Sequence, residues 1–242
     1  EKILLDEKPD KVLVYGDTNS TLAGAIAASK LYIPVYHVEA GIRSYNKRMP
    51  EEINRVLTDN LSSFLLCPNK LSKKNLNKEN IFDNIYVVGD VMYDLFLEVK
   101  PNLRKNFNLT KFKLIKKKYV ICTLHRENNT SNLFNLIEIL QALIEISKET
   151  KVVLPIHPRT LKVIKNNKIG YLLNNICVLN PVSYFDMMGL LMNSSLLITD
   201  SGGLQKEAYF NKINCLTLRD DTEWQDTLYN KANVLVGNNK NK

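Results

Sequence analysis

Short apolar runs alternate with helical patterns along almost the whole chain, and strands joined one after another through helices pair in parallel. The expected strands are Val12 to Tyr15, Val35 to Val38, Phe64 to Cys67, Ile85 to Val88, Tyr119 to Leu124, Val152 to Ile156, Ile176 to Leu179, Leu196 to Thr199, Cys215 to Leu218 and Val234 to Val236. Most lack polar alternation, so both faces of the sheets are expected to lie under helices. The fold class is therefore α/β. At 242 residues, 45% of them hydrophobic, the chain can bury one large core or two modest ones.

The alternation fails between Val99 and Lys118, where Pro101, Asn102, Asn106, Asn108 and the block Lys116-Lys117-Lys118 replace periodic apolar residues. This predicts two Rossmann-like lobes facing across a cleft, residues 1–99 and 119–242, joined by a linker over 100–118. Ligands of such sheets sit beyond the carboxyl ends of the strands. The chain opens on Glu1 and an apolar stretch, Ile3-Leu4-Leu5, that reads as a helix already under way. It closes on Gly237 to Lys242 with no final helix, so an internal piece cut at both ends is expected.

A net charge of +8 raises the question of nucleic acid. The lysines are scattered, and the one block of three reads as a solvated linker, so a phosphate-bearing small molecule fits the charge as well as DNA does, and no nucleic-acid partner is expected. No apolar run reaches bilayer length and no basic-then-apolar leader precedes the first strand, so no membrane partner is expected. Cys67, Cys122, Cys177 and Cys215 lie far apart in apolar runs, as reduced core residues of a cytoplasmic protein do. Neither Gly-x-Gly-x-x-Gly nor Gly-x-x-x-x-Gly-Lys-Ser/Thr occurs, and the three histidines stand far apart, so no cofactor and no metal are expected.

The polar residues gather where strands end. Gly16-Asp17-Thr18 follows the first strand, and His37-Val38-Glu39-Ala40-Gly41 closes the second, where alternation puts His37 and Glu39 on one side. Taken alone, Asp17 would be a turn or capping residue and His37 a satisfied core histidine. Pro50-Glu51-Glu52-Ile53-Asn54-Arg55 starts a helix whose buried stripe is expected to be Ile53, Val56, Leu57 and Leu61. Glu51 and Arg55 stand four apart, either as a surface ion pair or with the helix start aiming Glu51 into the cleft. Later strands deliver His125-Arg126-Glu127-Asn128, His157-Pro158-Arg159 and Asp200-Ser201-Gly202-Gly203-Leu204-Gln205-Lys206-Glu207. Glycines at a strand-to-helix turn free backbone N–H groups for a phosphate, and Glu207, one turn on, can take ribose hydroxyls.

In order and spacing these motifs, with Arg219, resemble the non-hydrolysing UDP-N-acetylglucosamine 2-epimerases over essentially the whole chain. The resemblance implies the two-lobed GT-B fold. It implies that Asp17, Glu39 and Glu51 are acid/base carboxylates, that His125 stands near the diphosphate, and that Ser201, Gly202, Gly203, Glu207 and Arg219 hold UDP, with Arg55 supporting the Glu51 region. The implied partners are a UDP-2-acetamido sugar and, in the intact protein, a second copy of the chain. No carbonyl acidifies the proton on carbon 2, so the implied route expels UDP to leave a 2-acetamidoglucal and adds it back after inversion, which needs acid, base and a clamp for the departing diphosphate.

The stretch after Arg219, Asp220-Asp221-Thr222-Glu223-Trp224, and the cations Arg43, Lys47 and Arg48 look like the branch that includes UDP-2,3-diacetamido-glucuronate 2-epimerases. Those cations are either partners for a uronate carboxylate or solvated loop charges. A UDP-sugar glycosyltransferase of the same fold and an inactive UDP-binding remnant are the other readings.

Overall fold

The computed structural model describes residues 1–240 and divides into two compact units, Glu1–Asp94 and Leu95–Lys242. In the first unit α1 (Lys2–Glu7) leads to β1 (Val12–Tyr15), α2 (Asn19–Lys30), β2 (Val35–Val38), α3 (Pro50–Leu61), β3 (Phe64–Cys67), α4 (Lys70–Lys78) and β4 (Ile85–Val87). The strands pair in parallel in the order β1-β2-β3-β4. Small residues let α2 sit close, with Ala25 and Ala28 packed against Val14 and Val35, while Thr18 caps its start by accepting the Thr21 N–H.

Strands added in one direction through right-handed crossovers place their helices on one face. Within residues 1–240 the other face is exposed, where the strand patterns lead one to expect helices on both. Register puts Leu13, Tyr36 and Phe64 in one row and Leu66 beside Tyr86 on this face, and Leu13, Tyr15, Tyr86 and Val88 are exposed there. Tyr36 stacks on Phe64 at 4.3 Å between ring centroids.

A correction concerns α3. Ile53 and Leu57, expected in its buried stripe, are 48% and 45% exposed, while Glu52, Asn54, Arg55, Thr58 and Asp59 are buried. The polar face turns inward because its side chains satisfy one another and the strand-end loops, which offsets the cost of burying them.

The division between the units falls within α5 (Val91–Asn106). The helix runs through Pro101 with Phe96 and Leu103 buried, so the stretch from 100 on begins as helix, followed by a 3-10 turn over Leu109–Phe112. Proline removes one intrahelical hydrogen bond but leaves the buried anchors seven residues apart on the same side.

In the second unit follow β5 (Tyr119–Thr123), α6 (Glu127–Thr130), α7 (Leu133–Ser147), β6 (Lys151–Pro155), α8 (Pro158–Asn166), β7 (Cys177–Leu179), α9 (Tyr184–Asn193), β8 (Leu196–Thr199), α10 (Gly202–Asn211), β9 (Cys215–Thr217) and β10 (Asn233–Leu235). All pair in parallel in the order β10-β9-β8-β5-β6-β7. The chain thus winds outward from β5 to β7, then returns to β5's other side and winds the opposite way. Reversal puts helices on both faces, with Leu136, Leu140 and Leu143 of α7 in one core and Met188, Leu190 and Leu191 of α9 in the other. Each such side chain contributes roughly 1.5–3 kcal/mol by leaving water.

The cysteines are free thiols; Cys67, Cys122 and Cys215 are buried, whereas Cys177 is partly exposed at the sheet edge. Burial pushes the Cys67 and Cys215 thiols up to about 12. Among the described residues no helix is long and apolar enough to cross a membrane.

Candidate functional site

In the first unit the polar residues converge at the carboxyl ends of β1 and β2. Arg55, reaching back from the first turns of α3, grips Asp17 with Nε and Nη2 on Oδ2 at 3.0 and 2.6 Å, and its Nη1 donates to Glu52 Oε2 at 2.9 Å. Arg55 is therefore a buried group that holds two carboxylates, Asp17 and Glu52. Asn54 adds a bond from Nδ2 to the Asp17 carbonyl at 2.9 Å. Glu52, absent from the expected set, receives the Ser44 and Tyr45 N–H groups at 2.8 Å each and so fixes the loop ahead of α3. Glu51 stands half-buried in the first turn, where the helix dipole favours an acid.

Strand alternation does not extend to Glu39, because β2 ends at Val38 and Glu39 takes φ +72°. Its Oε2 lies 3.4 Å from where a Cβ on Gly16 would be, which brings it beside the residue preceding Asp17. His37 is a satisfied core histidine: Nδ1 bonds Asp59 Oδ1 at 2.6 Å and Nε2 the Gly16 carbonyl at 2.8 Å. Arg43 is also committed. It is 1% exposed, with Nη1 2.7 Å from Asp59 and Nε and Nη2 each 2.7 Å from Glu79, so it is neither a solvated loop charge nor a partner for a uronate. Lys47 and Arg48 are exposed.

In the second unit the order reverses between β5 and β8, the place where a doubly wound sheet opens a crevice for ligands. His125 follows β5 and Asp200-Ser201 follows β8, and the buried Asp200 joins them. Its carboxylate accepts the His125 and Arg126 N–H groups at 3.1 and 2.9 Å and stands 3.2 Å from His125 Nδ1. The His125 side chain is 42% exposed, so its other edge is open. His157, also expected at this mouth, lies 6.1 Å from His125 between ring centroids.

Ser201 caps α10, its Oγ accepting the Leu204 N–H at 3.4 Å. The next N–H groups, of Gly202 and Gly203, begin the helix and have no carbonyl behind them. A Cβ on Gly202 would meet Glu223 Oε1 at 2.5 Å, so a side chain there would require Glu223, which is paired with Arg219, to shift. Arg219 is buried after β9, with Nη2 2.8 Å from Glu223 and 3.2 Å from Asp221. Gln205 ties this loop to the helix, Oε1 accepting from Thr222 and Asn233 and Nε2 donating to the Ser201 carbonyl. Trp224 rests nearby with Lys206 Nζ 3.9 Å from the ring centroid. Burial raises the Glu207 carboxyl to about 7, against a hydrogen bond from Tyr184 and the charge of Lys206, which both lower it.

Each unit thus gathers its expected residues at strand ends: Asp17, Glu39 and Arg55 in the first, His125, Ser201, Gly202 and Gly203 in the second. The sequence matches the model of the UDP-N-acetylglucosamine 2-epimerase family over residues 1–242. The chain belongs to that family. A UDP-N-acetylglucosamine 2-epimerase homolog of Methanococcus maripaludis is 49% identical, with 100% of this chain covering 69% of the relative. The UDP-2,3-diacetamido-2,3-dideoxy-D-glucuronate 2-epimerase of Pseudomonas aeruginosa is 48% identical over 98% of this chain and 66% of its own length. The chain thus spans about two thirds of the length of these relatives. Among solved structures, the UDP-GlcNAc 2-epimerase of Methanocaldococcus jannaschii in complex with UDP-GlcNAc and UDP superposes with a TM-score of 0.91 at 44% identity, covering 99% of this chain and 68% of that one. The two Rossmann-like units are those of the family's GT-B architecture.

Asp59, Glu52, Asp200 and Gln205 were not in the expected set. For Asp59, Glu52 and Gln205 the sequence signal is a charged or amide residue on the side of a helix that faces the sheet, legible only once that inward face is known; Asp200 instead directly follows β8, at the strand end.

Proposed function

We propose that the protein inverts carbon 2 of a UDP-2-acetamido sugar, converting UDP-N-acetylglucosamine to UDP-N-acetylmannosamine. The observation that carries this reading is family membership along the whole chain, with carboxylates at the strand ends of one unit and an anion-receiving helix start at the switch point of the other. Asp17, Glu39 and Glu51 are the proposed acid/base groups; Ser201, Gly202, Gly203, His125 and Arg219 hold the diphosphate, and Glu207 the ribose.

A carboxylate takes the proton from carbon 2 while the bond from carbon 1 to the diphosphate oxygen breaks, and its electron pair leaves with UDP. A double bond between carbons 1 and 2 results, giving the 2-acetamidoglucal. A proton delivered to the other face of carbon 2, with return of the diphosphate oxygen to carbon 1, completes inversion without net redox change. The leaving group develops charge, so N–H groups of α10 and nearby cations favour the transition state over the substrate. Arg55 aims the Asp17 carboxylate through two hydrogen bonds to Oδ2.

Arg43 is committed to Asp59 and Glu79, so recognition of a uronate carboxylate would fall to the exposed Lys47 and Arg48. Full-length protein incubated with UDP-N-acetylglucosamine in heavy water is expected to place deuterium on carbon 2. No incorporation with this sugar or with the diacetamido-glucuronate would sink the reading; incorporation only with the uronate would move the assignment to that substrate.

A further inference from the structure

We propose that Asp59, on the buried side of α3, is the positioning residue that sets Asp17 and Glu39 in register for elimination; the inference rests on the acid/base reading above. Asp59 and His37 are both fully buried. A lone buried carboxylate is costly, and this one takes three donors: His37 Nδ1 at 2.6 Å, the Gly41 N–H at 3.1 Å and Arg43 Nη1 at 2.7 Å.

Two of those donors lead to the loops that carry the reacting carboxylates. Through its other ring nitrogen His37 holds the carbonyl of Gly16, the residue before Asp17, at 2.8 Å. Gly41 lies two residues beyond Glu39, and the chain between them is unusual. Glu39 has φ +72° and Gly41 φ +77°, and a Cβ on Gly41 would run into the backbone of Ser72. A glutamate in the left-handed region persists only where its surroundings fix it. What fixes this one is the Leu66 carbonyl, which accepts both the Glu39 and Ala40 N–H groups at 3.1 and 3.2 Å, together with the Asp59 bond at Gly41. One carboxylate therefore anchors the end of β1 through His37 and the end of β2 directly. Arg43, held also by Glu79, keeps Asp59 from moving.

The test uses the full-length protein with Asp59→Asn, His37→Gln and the double variant. Expected is a fall in kcat for deuterium incorporation at carbon 2 of roughly 10- to 100-fold, the cost of misplacing a reacting group by about 1 Å. KM and the dissociation constant of UDP by calorimetry should hold, because the UDP donors belong to the second unit. The double variant should lose little more than either single one, since both cut the same chain of contacts. Amide hydrogen exchange should speed up at Gly16 and Gly41 more than in α4. Unchanged kcat in folded variants, or unchanged exchange at those two glycines, overturns the proposal. If Asp59→Asn does not fold, His37→Gln, which spares the Gly41 and Arg43 bonds, decides alone. If the wild type shows no deuterium incorporation, the epimerase reading fails separately, and the exchange pattern still decides whether Asp59 holds the two loops.

Discussion

Glu207 couples folding to pH through one proton, and its proposed contact with the ribose would couple UDP binding to the same proton. Burial lifts its carboxyl from 4.5 to about 7, so between those values the folded chain holds a proton that the unfolded chain has released. Stability falls with rising pH wherever the folded state binds more protons. The contribution is therefore full below 4.5 and lost as pH climbs through 7, on the order of 3 kcal/mol at about 1.4 kcal/mol per unit. Ribose hydroxyls donate best to the ionised form, so UDP affinity should rise over the same range. Glu207→Gln should flatten both profiles, as calorimetry and urea titrations at pH 5 and 8 would read; a wild-type affinity level from pH 6 to 8 contradicts the assignment. A second residue supplies an optical probe. Trp224, the chain's single tryptophan, is buried with its Nε1 3.4 Å from a Cβ position on Gly202, at the start of α10. UDP added to the protein should shift or quench its emission, and Ser201→Ala should weaken that response. Silence of the fluorescence under saturating UDP would place the nucleotide elsewhere.

At the scale of elements, most of the architecture is legible in the sequence, because the strands are short apolar runs bounded by turn residues. The ends of β1, β2, β3 and β8 fall where the runs predict, and the remaining strands differ by a residue or so. Reading α3 fails for a physical reason. Periodicity reports which side of a helix is apolar, not which side faces the sheet, and here Arg55 bonds Glu52 while Asp59 is met by His37, the Gly41 N–H and Arg43 on the inner side. Asp17 and Arg55 could be placed at strand and helix ends from motifs alone, whereas their contact depends on that inversion. Pro101 likewise breaks the local pattern, yet the burial of Phe96 and Leu103 carries α5 through it. The inversion makes a measurable prediction. Ile53→Ala and Leu57→Ala, at 48% and 45% exposure, should each cost under about 1 kcal/mol in urea unfolding. Leu76→Ala, in the core of the same unit and fully buried, should cost about 2–5 kcal/mol. Comparable losses at all three would mean that the apolar side of α3 is packed in solution.

Within residues 1–240 the two units differ in how completely their sheets are covered, and the proposed ligand groups divide between them. The sheet of the second unit has helices on both faces, whereas that of the first exposes Leu13, Tyr15, Tyr86 and Val88 along one. An apolar face of that kind invites association. Expressed as residues 1–242, the chain should bind a hydrophobic dye and grow in mass with concentration by light scattering, and Leu13→Lys with Tyr86→Lys should reduce both. If full-length protein scatters as a dimer and keeps that mass with the two lysines, its second copy uses another surface. The unit boundary adds a thermal test of where UDP is held. A ligand that binds only the folded state stabilises it by about 2.7 kcal/mol at a hundredfold excess over its dissociation constant. The proposed donors to UDP, from His125 to Arg219, all lie in Leu95–Lys242. UDP should therefore delay hydrogen exchange in β5, β8 and α10 and leave β1, β2 and α3 at their unliganded rates. The sugar-bearing substrate, whose carbon 2 is proposed to react at Asp17, Glu39 and Glu51, should in addition slow exchange in β1 and β2. Protection of the first unit by UDP alone would mean that the nucleotide, and not the sugar, engages Asp17 and Glu39.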